Sequence, residues 1–419
     1  MNKIFARYFS GAVLLLAPVT VTIADGCNSE SFSSWIEGVK QEAAAQGVSA
    51  KSISELDSLT YNPKVISMDR RQGVFAQTFL KFAGRMASNY RVTQGKKYMQ
   101  QYSKLFKELE FEYGVPAAVI TAFWALETDF GANTGNFDTL RSLATLAHDC
   151  RRPELFRPQL ISALKVLDAG YLTRAEMKGA WAGELGQTQF LPTDYLKHGL
   201  DADGDGRINL LTSKPDVLAS TAKHLHHYGW YAGEPWLEEV TVPANMDWSQ
   251  ANLNNMLPRS TWAQLGVKKR NGALSADSLE ASLLLPMGKD GPAFLAYQNF
   301  RIYTEWNKSL VYATTAAYLA TRLDGAPLVS KGRATVDTLT LEETKQLQRI
   351  LQSNGFDVGK VDGVIGANTR ASVRQEQKRL GMAADGYPTK QLLEKLSGAK
   401  TEAKPNNMID TSTRGPLFR

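Results

Sequence analysis

The sequence predicts a mainly α-helical protein: one large helical unit, interrupted late by a small β-containing insertion, and then a second, compact module. Three observations carry that reading. Apolar residues recur at helical spacing through much of Phe32–Tyr228 and again over Val311–Leu323. Between Trp236 and Pro286 this pattern gives way to short apolar runs set among turn residues. A stretch rich in Gly, Pro and small residues, Asp324 to about Val336, then precedes a segment with its own leucines and turn glycines. At 419 residues the chain is long enough for two or three domains and a sizeable main core.

Taken in order, residues 1–24 read as a secretory signal, with Lys3 and Arg7 as the basic start, Gly11 to Ala17 as the apolar core and Thr22-Ile23-Ala24 as the cleavage site. A retained anchor is the rival reading, and Pro18 and the shortness of the apolar run argue against it. Phe32 to Gln46, Ser49 to Leu56 and Val74 to Arg85 follow as helices. Gln94 to Tyr113 reads as one helix closed by Gly114, with Pro116 opening the next. Pro158 to Ala169 and Asp216 to Tyr228 complete the helical run, and Leu237 to Pro243 and Leu279 to Pro286 are the strand-like stretches of the insertion. The expected organisation is therefore a catalytic-sized domain over 25–325 with an insertion at about 236–286, a linker over 326–336, a module over 337–397 and a disordered tail over 398–419.

The formal charge is +6 with a pI near 9.0, and loss of Lys3 and Arg7 with the signal lowers it to +4. A mild excess of this kind suits an acidic polymer. No dense basic run with interleaved aromatics is present, which argues against nucleic acid as partner. Cys27 and Cys150 are the two cysteines. In an exported chain they suggest a disulfide, with two free thiols as the alternative. Cys27 also stands where a lipoprotein cysteine would stand, although Ala24-Asp25-Gly26 is a poor lipobox.

Two segments carry the chemistry. Val115 to Leu126 is almost wholly apolar and ends at Glu127 in Phe123-Trp-Ala-Leu-Glu-Thr-Asp-Phe-Gly131. A carboxyl at the end of a buried helix resists ionisation and can hold a proton near neutral pH, as a general acid must; a Glu paired with Arg or solvated is the plain alternative. The second segment, Gly179-Ala-Trp-Ala-Gly-Glu-Leu-Gly-Gln-Thr-Gln-Phe-Leu-Pro192, combines three glycines with Gln187, Gln189, Trp181 and Phe190. The glycines are expected to let backbone approach a ligand, and the amides and rings form the mixture by which sugars are read. A Gly-rich packing turn is the alternative.

Together these segments resemble the lytic murein transglycosylases of the membrane-bound lytic transglycosylase B family. The family's Glu-Thr-x-x-Gly motif is matched by Glu127, Thr128 and Gly131, and a Gly-x-Gly-Gln-Phe-x-Pro-like motif by Gly186, Gln189, Phe190 and Pro192. The resemblance runs from about Phe32 to Leu323 and implies a lysozyme-like core in which Glu127 alone acts, first as acid and then as base. It implies cleavage between N-acetylmuramic acid and N-acetylglucosamine without water, leaving a 1,6-anhydromuramoyl end. An ordinary glycosidase needs a second carboxylate, and Glu184, where the compared enzymes have a small residue, keeps open a hydrolytic muramidase. A catalytically silent wall-binding protein is the other alternative. The resemblance further implies substrate contacts from Tyr90 (in Tyr90-Arg91), Arg151, Arg152, Asn307 and Tyr312. Ala180 and His224 depart from it, standing where the compared enzyme has a serine and a tyrosine, and His224 is kept among the expected substrate contacts.

The segment Asp337 to Leu396, with Leu347, Gly355, Val361-Asp-Gly363 and Asp385-Gly386, resembles the three-helix peptidoglycan-binding domain of the type-1 family, although Glu376 replaces the aromatic before Gln377. Asp201-Ala-Asp-Gly-Asp-Gly-Arg-Ile-Asn209 resembles the start of a calcium loop. Asp201, Asp203, Asp205 and the Arg207 carbonyl are candidate ligands, and Thr212 stands where the usual Glu belongs. The resemblance offers Asp216 in its place, for a weak structural Ca2+. His224, His226 and His227 lack the spacing of a catalytic zinc helix. No cofactor is expected for catalysis. The expected partners are peptidoglycan glycan strands and cell-wall enzymes, for a monomer in the periplasm, with an outer-membrane lipoprotein as the alternative.

Overall fold

The computed structural model describes residues 30–70 and 77–402; the expected signal segment and Cys27 lie outside them. The fold class is as the sequence predicts. Helices from Phe32 to Leu323 enclose one large core, a five-stranded sheet lies between Leu237 and Ala296, and three helices form the last module. Among the described residues no helix is long and apolar enough to cross a membrane.

The helix Ala117–Thr128 is the centre of the large core, and every residue from Ala118 to Leu126 is buried. A helix apolar on all sides has to be surrounded, since no face of it can meet water without loss. The helices Asn89–Gln101, Lys214–His227 and Leu310–Leu323 pack around it. Pro116 caps its start, and its end unwinds through Asp129 and Phe130 in left-handed conformation (φ 54° and 61°) to Gly131 (φ 89°). Left-handed backbone is unfavourable for residues with a Cβ. Here Arg91 Nε holds the Asp129 carboxylate at 3.0 Å, and the Phe130 ring packs against Trp124 and Tyr98.

Several boundaries differ from expectation. The stretch expected as one helix over Gln94 to Tyr113 is two, Asn89–Gln101 and Ser103–Tyr113, with Tyr102 (φ −101°, ψ 25°) breaking the first. The helix expected from Pro158 begins at Pro153, where proline at the first turn is well tolerated, and it carries Pro158 inside it. The last helix, Lys390–Glu402, runs into the stretch expected to be disordered, because Ala399, Lys400 and Glu402 are good helix formers.

All pairings in the five-stranded sheet are antiparallel, in the spatial order Leu257–Pro258, Glu280–Leu284, Ala293–Ala296, Leu237–Thr241, Lys268–Lys269. It has its own small core, in which Trp262 is fully buried and gives its Nε1 hydrogen to the Ala281 carbonyl at 2.8 Å.

In the last module, helices Leu341–Ser353, Ala367–Arg379 and Lys390–Glu402 surround Leu347, Leu351, Val373 and Leu392. Two buried glutamines brace its turns. Gln348 accepts from Gly363 N and donates to Val364 O, and Gln377 accepts from Gly386 N and donates to Tyr387 O. Glu376, the departure from the family pattern, is buried and paired with Arg379 at 2.6 Å. The module lies against the sheet-bearing region through polar side chains that reach backbone. Arg370 donates to the carbonyls of Leu285 and Pro286, Arg374 to that of Ala251, and Asp385 accepts from Lys289 N. The intervening segment is also held, by Ser330 N on Glu239 and Arg333 N on Asp290 O.

Candidate active site

Glu127 sits in the last turn of the central helix, and two side chains from the far end of the domain converge on one of its oxygens. Trp306 Nε1 donates to Oε1 at 2.7 Å, and the Tyr312 hydroxyl donates to the same atom. Tyr312 belongs to the helix Leu310–Leu323 and Trp306 to the helix Phe300–Trp306. With Oε1 doubly engaged, Oε2 is the atom available to carry a proton. Burial pushes the Glu127 carboxyl up to about 7, against the pull of the two donors, and the nearby Glu184 charge adds to the rise. Burial and the Glu127 charge hold the Tyr312 hydroxyl far above its ordinary range, so it stays a donor.

The two sequence motifs are joined at Gln187. Its Oε1 accepts from Trp124 Nε1 at 2.8 Å, its carbonyl accepts from the Thr128 hydroxyl at 2.6 Å, and Gly131 N donates to that hydroxyl at 2.9 Å. A Cβ on Gly131 would stand 2.5 Å from Gln187 Oε1, so glycine there permits close approach of protein to protein. The same holds in the second motif, where a Cβ on Gly186 would meet the Leu210 carbonyl at 2.6 Å. The glycines expected to admit a ligand, Gly179, Gly183 and Gly186, instead pack against protein: a Cβ on them would meet the Glu184 carbonyl, the Leu143 side chain and the Leu210 carbonyl.

Other expected sugar contacts are likewise occupied by protein. The Gln187 amide also donates to Leu211 O, and Gln189 donates to Thr134 O and Gly186 O from a left-handed backbone (φ 54°). Phe190 is buried, edge-on to His224 and Trp306. His224 is buried too, and burial pushes its imidazole down to about 3, so it is neutral. Arg151 and Arg152 both pair with the buried Asp69, each keeping roughly a third or less of its side chain exposed. Tyr90 is 63% exposed on the helix Asn89–Gln101, while its neighbour Arg91 reaches the end of the central helix. Asn307 lies between the helices Phe300–Trp306 and Leu310–Leu323, its Oδ1 accepting from Ser309 N at 2.9 Å.

The structure adds one residue to the site and describes the surroundings of a second, Glu184. Trp306 is a direct donor to Glu127, and the signal for it is its adjacency to Asn307 and the Tyr312 segment. Glu184 keeps a buried Oε2 without a hydrogen-bond partner, and burial raises its carboxyl while Arg152 opposes the rise. Asp129 is two residues from Glu127 but is turned away onto Arg91.

In the acidic loop, the carboxylates of Asp201, Asp203 and Asp205 are exposed and lie within 4.8 Å of one another, a hard oxygen set that fits a cation such as calcium. Asp216 does not join them. It is fully buried, and its oxygens accept from the backbone of Ala202, Asp203 and Asn209. The Arg207 guanidinium binds Glu176 and Tyr171 O on the loop's other side.

A family model of the transglycosylase SLT domain matches residues 31–321, and one of a peptidoglycan binding domain matches residues 340–396. The membrane-bound lytic murein transglycosylase B of Escherichia coli K12 is 29% identical over 241 residues, 56% of this chain and 64% of that protein, so the chain spans just under two thirds of that relative. SltB3 from Pseudomonas aeruginosa, solved in complex with NAG-NAM-pentapeptide, is 39% identical, with a TM-score of 0.82 over 88% of this chain and 100% of that one. The same protein in complex with NAG-anhNAM-pentapeptide superposes with a TM-score of 0.81.

Proposed function

We propose, from the premise that this chain belongs to the transglycosylase SLT domain family, that it is a lytic transglycosylase cleaving peptidoglycan between N-acetylmuramic acid and N-acetylglucosamine. The observation that carries the mechanism is Glu127 itself: a buried carboxyl, held at one oxygen by Trp306 and Tyr312 and pushed up to about 7. Glu127 gives its proton to the glycosidic oxygen as the bond from that oxygen to muramoyl C1 breaks. The C6 hydroxyl of the same muramoyl residue then attacks C1, and the Glu127 carboxylate takes the hydroxyl proton. The acid is restored, no water is consumed and no cofactor takes part. The anhydromuramoyl ligand solved with SltB3, at 39% identity, supports this course over hydrolysis.

Asn307 Nδ2 and Gln189 Oε1, the amide atoms outside the protein contacts described above, are proposed to orient the sugar. Arg151 and Arg152, anchored on Asp69, present their remaining N–H groups to lactyl or peptide carboxylates. The module at 340–396 is proposed to hold the glycan strand near the cleft. Asp201, Asp203 and Asp205 would hold calcium, which would stiffen the loop ahead of the helix Lys214–His227. Export to the periplasm, a Cys27–Cys150 disulfide and a monomeric state complete the reading.

The test is mass spectrometry of muropeptides released by the purified mature protein. Ends in 1,6-anhydromuramic acid, one water lighter than hydrolytic ends, are expected. Reducing ends would overturn the mechanism and move attention to Glu184, whose unpartnered Oε2 is the one observation favouring a water-activating base.

A further inference from the structure

Behind the Glu127 pocket, two helices bring together a set of side chains that the reaction does not use. The helix Pro192–His198 offers Asp194 and His198, four residues apart and so on one face. The helix Lys214–His227 packs against it and offers His224 and His227, three apart. One ligand atom from each of Asp194, His198 and His224 lies within 4.8 Å of the others. We propose that these three residues, with His227 at the open rim, form a binding site for a borderline divalent transition-metal ion such as Zn2+.

The chemistry of the set selects that class. Two imidazoles and a carboxylate are the nitrogen and oxygen ligands of zinc, whereas calcium and magnesium take oxygen alone.

The geometry falls short of coordination by a small movement. Ligand atoms on one tetrahedral zinc, at bonds of about 2.0–2.1 Å, stand roughly 3.4 Å apart. Asp194 Oδ1 and His224 Nε2 stand 3.9 Å apart, too far for a hydrogen bond and near the separation of two atoms sharing an ion. The rings of His198 and His224 are stacked, with centroids 4.5 Å apart and planes 12° from parallel, so one ring must turn to make its nitrogen converge. His224 is also packed against Phe190, Tyr228 and Trp306, so the ring that has to turn is that of His198. Packing accounts for the stack, and the first turn of its own helix suits Asp194; neither requires that one ligand atom from each of the three residues should meet within 4.8 Å. Asp194 and His227 are both partly open to solvent, which provides an entry path, and His227 must exchange its 3.1 Å contact with Lys197 to become the fourth ligand.

The experiment titrates Zn2+, and separately Co2+, into chelator-treated, tag-free full-length protein with calcium saturating the acidic loop. Calorimetry should give one zinc per chain, and cobalt should give the visible absorption of a four-coordinate nitrogen and oxygen site. Asp194→Asn and His198→Gln should each weaken zinc roughly tenfold or more, while Asp203→Asn leaves it unchanged. Zinc binding that survives both of the first two substitutions, or that is lost with Asp203→Asn, would overturn the assignment. So would no binding to the wild type. Should either of the first two variants fold poorly, the wild-type cobalt spectrum decides: a weak six-coordinate oxygen spectrum places the ion in the acidic loop and sinks the proposal.

Discussion

Glu127→Gln should make the protein inactive and, above neutral pH, more stable. The proposed acid is kept protonated by burial, so its ionisation in the folded protein carries a cost. A rise from 4.5 to about 7 corresponds to roughly 3 kcal/mol, at about 1.4 kcal/mol per pH unit. The sign follows from where protons bind. Below pH 4.5 the carboxyl is protonated in both folded and unfolded chains, and it adds no pH dependence. Between 4.5 and about 7 the unfolded chain loses the proton while the folded protein keeps it, so the stability present at low pH is progressively lost. Above 7 the folded protein carries a buried carboxylate, and the loss is complete.

Gln cannot ionise, and its carbonyl accepts the same bonds from Trp306 and Tyr312. Melting of wild type and variant should therefore coincide near pH 4 and diverge from there to pH 8. The variant should gain roughly 5–10 °C at the upper end. Every other titrating group is shared, so the difference isolates this one. Cleavage of sacculi, measured as released muropeptides, should vanish in the variant at all pH values. A constant difference in melting across the range, or a wild type more stable at pH 8, would refute the argument that desolvation dominates at Glu127. Substantial cleavage by the folded variant would refute the single-glutamate mechanism.

Three further substitutions and one metal test follow from the same geometry. Tyr312→Phe removes a donor that favours the charged form of Glu127, so the alkaline limb of kcat/KM should move up by about one pH unit, with kcat lowered. Glu184→Gln removes a charge that raises Glu127, so the same limb should move down while the products remain anhydro ends; reducing ends lost together with activity would instead assign Glu184 a catalytic role. Arg370→Ala leaves the carbonyls of Leu285 and Pro286 without their donor, each worth roughly 1–3 kcal/mol; protease cleavage in residues 326–336 should quicken while the catalytic core keeps its melting temperature. Calcium should raise the melting temperature without being needed for cleavage, and Asp203→Asn should abolish that rise, as followed by melting with and without chelator.

The fold class, the central helix and the second motif were legible because each rests on a local signal. An apolar run that ends in Glu127 pointed to a buried helix with a desolvated acid at its end, which is what the fold contains. The Gly-rich stretch from Gly179 to Pro192 marked an irregular segment, although its glycines serve packing and not the expected approach to a ligand. What local signals could not show is what those residues touch. Gln187 has the chemistry of a sugar contact, yet it bolts Trp124, Thr128 and Leu211 together, because the helix end needs partners for its buried polar groups. Phe190 and His224 look like cleft aromatics in one dimension and are buried behind Trp306 in three. Trp306 itself was hidden by distance: 179 residues separate it from Glu127, and no periodicity spans that interval. Asp216 was assigned by analogy to a loop ligand, and spacing alone could not show that its buried oxygens accept from the backbone of Ala202 and Asn209.

The proposed mechanism, in which a single carboxyl acts as acid and then as base, needs two opposed influences of similar size, and the surroundings of Glu127 supply them. Desolvation alone would hold the proton too tightly for delivery to a weakly basic glycosidic oxygen. Hydrogen bonds alone would leave a carboxylate too weak to take a proton from the C6 hydroxyl. Here burial raises the group, and Trp306 and Tyr312 restrain the rise by stabilising the ionised form that appears once the proton has gone. Because both donors reach Oε1, that stabilisation leaves Oε2 free to release the proton and to collect another. Other carboxylates would upset the balance by activating water or by titrating in its place. Asp129 is removed by its left-handed turn onto Arg91, and Glu184 is itself raised by burial, so ionising it beside an ionised Glu127 is disfavoured. In the proposed mechanism water remains the competitor of the C6 hydroxyl, so the cleft has to keep it from the bond that breaks.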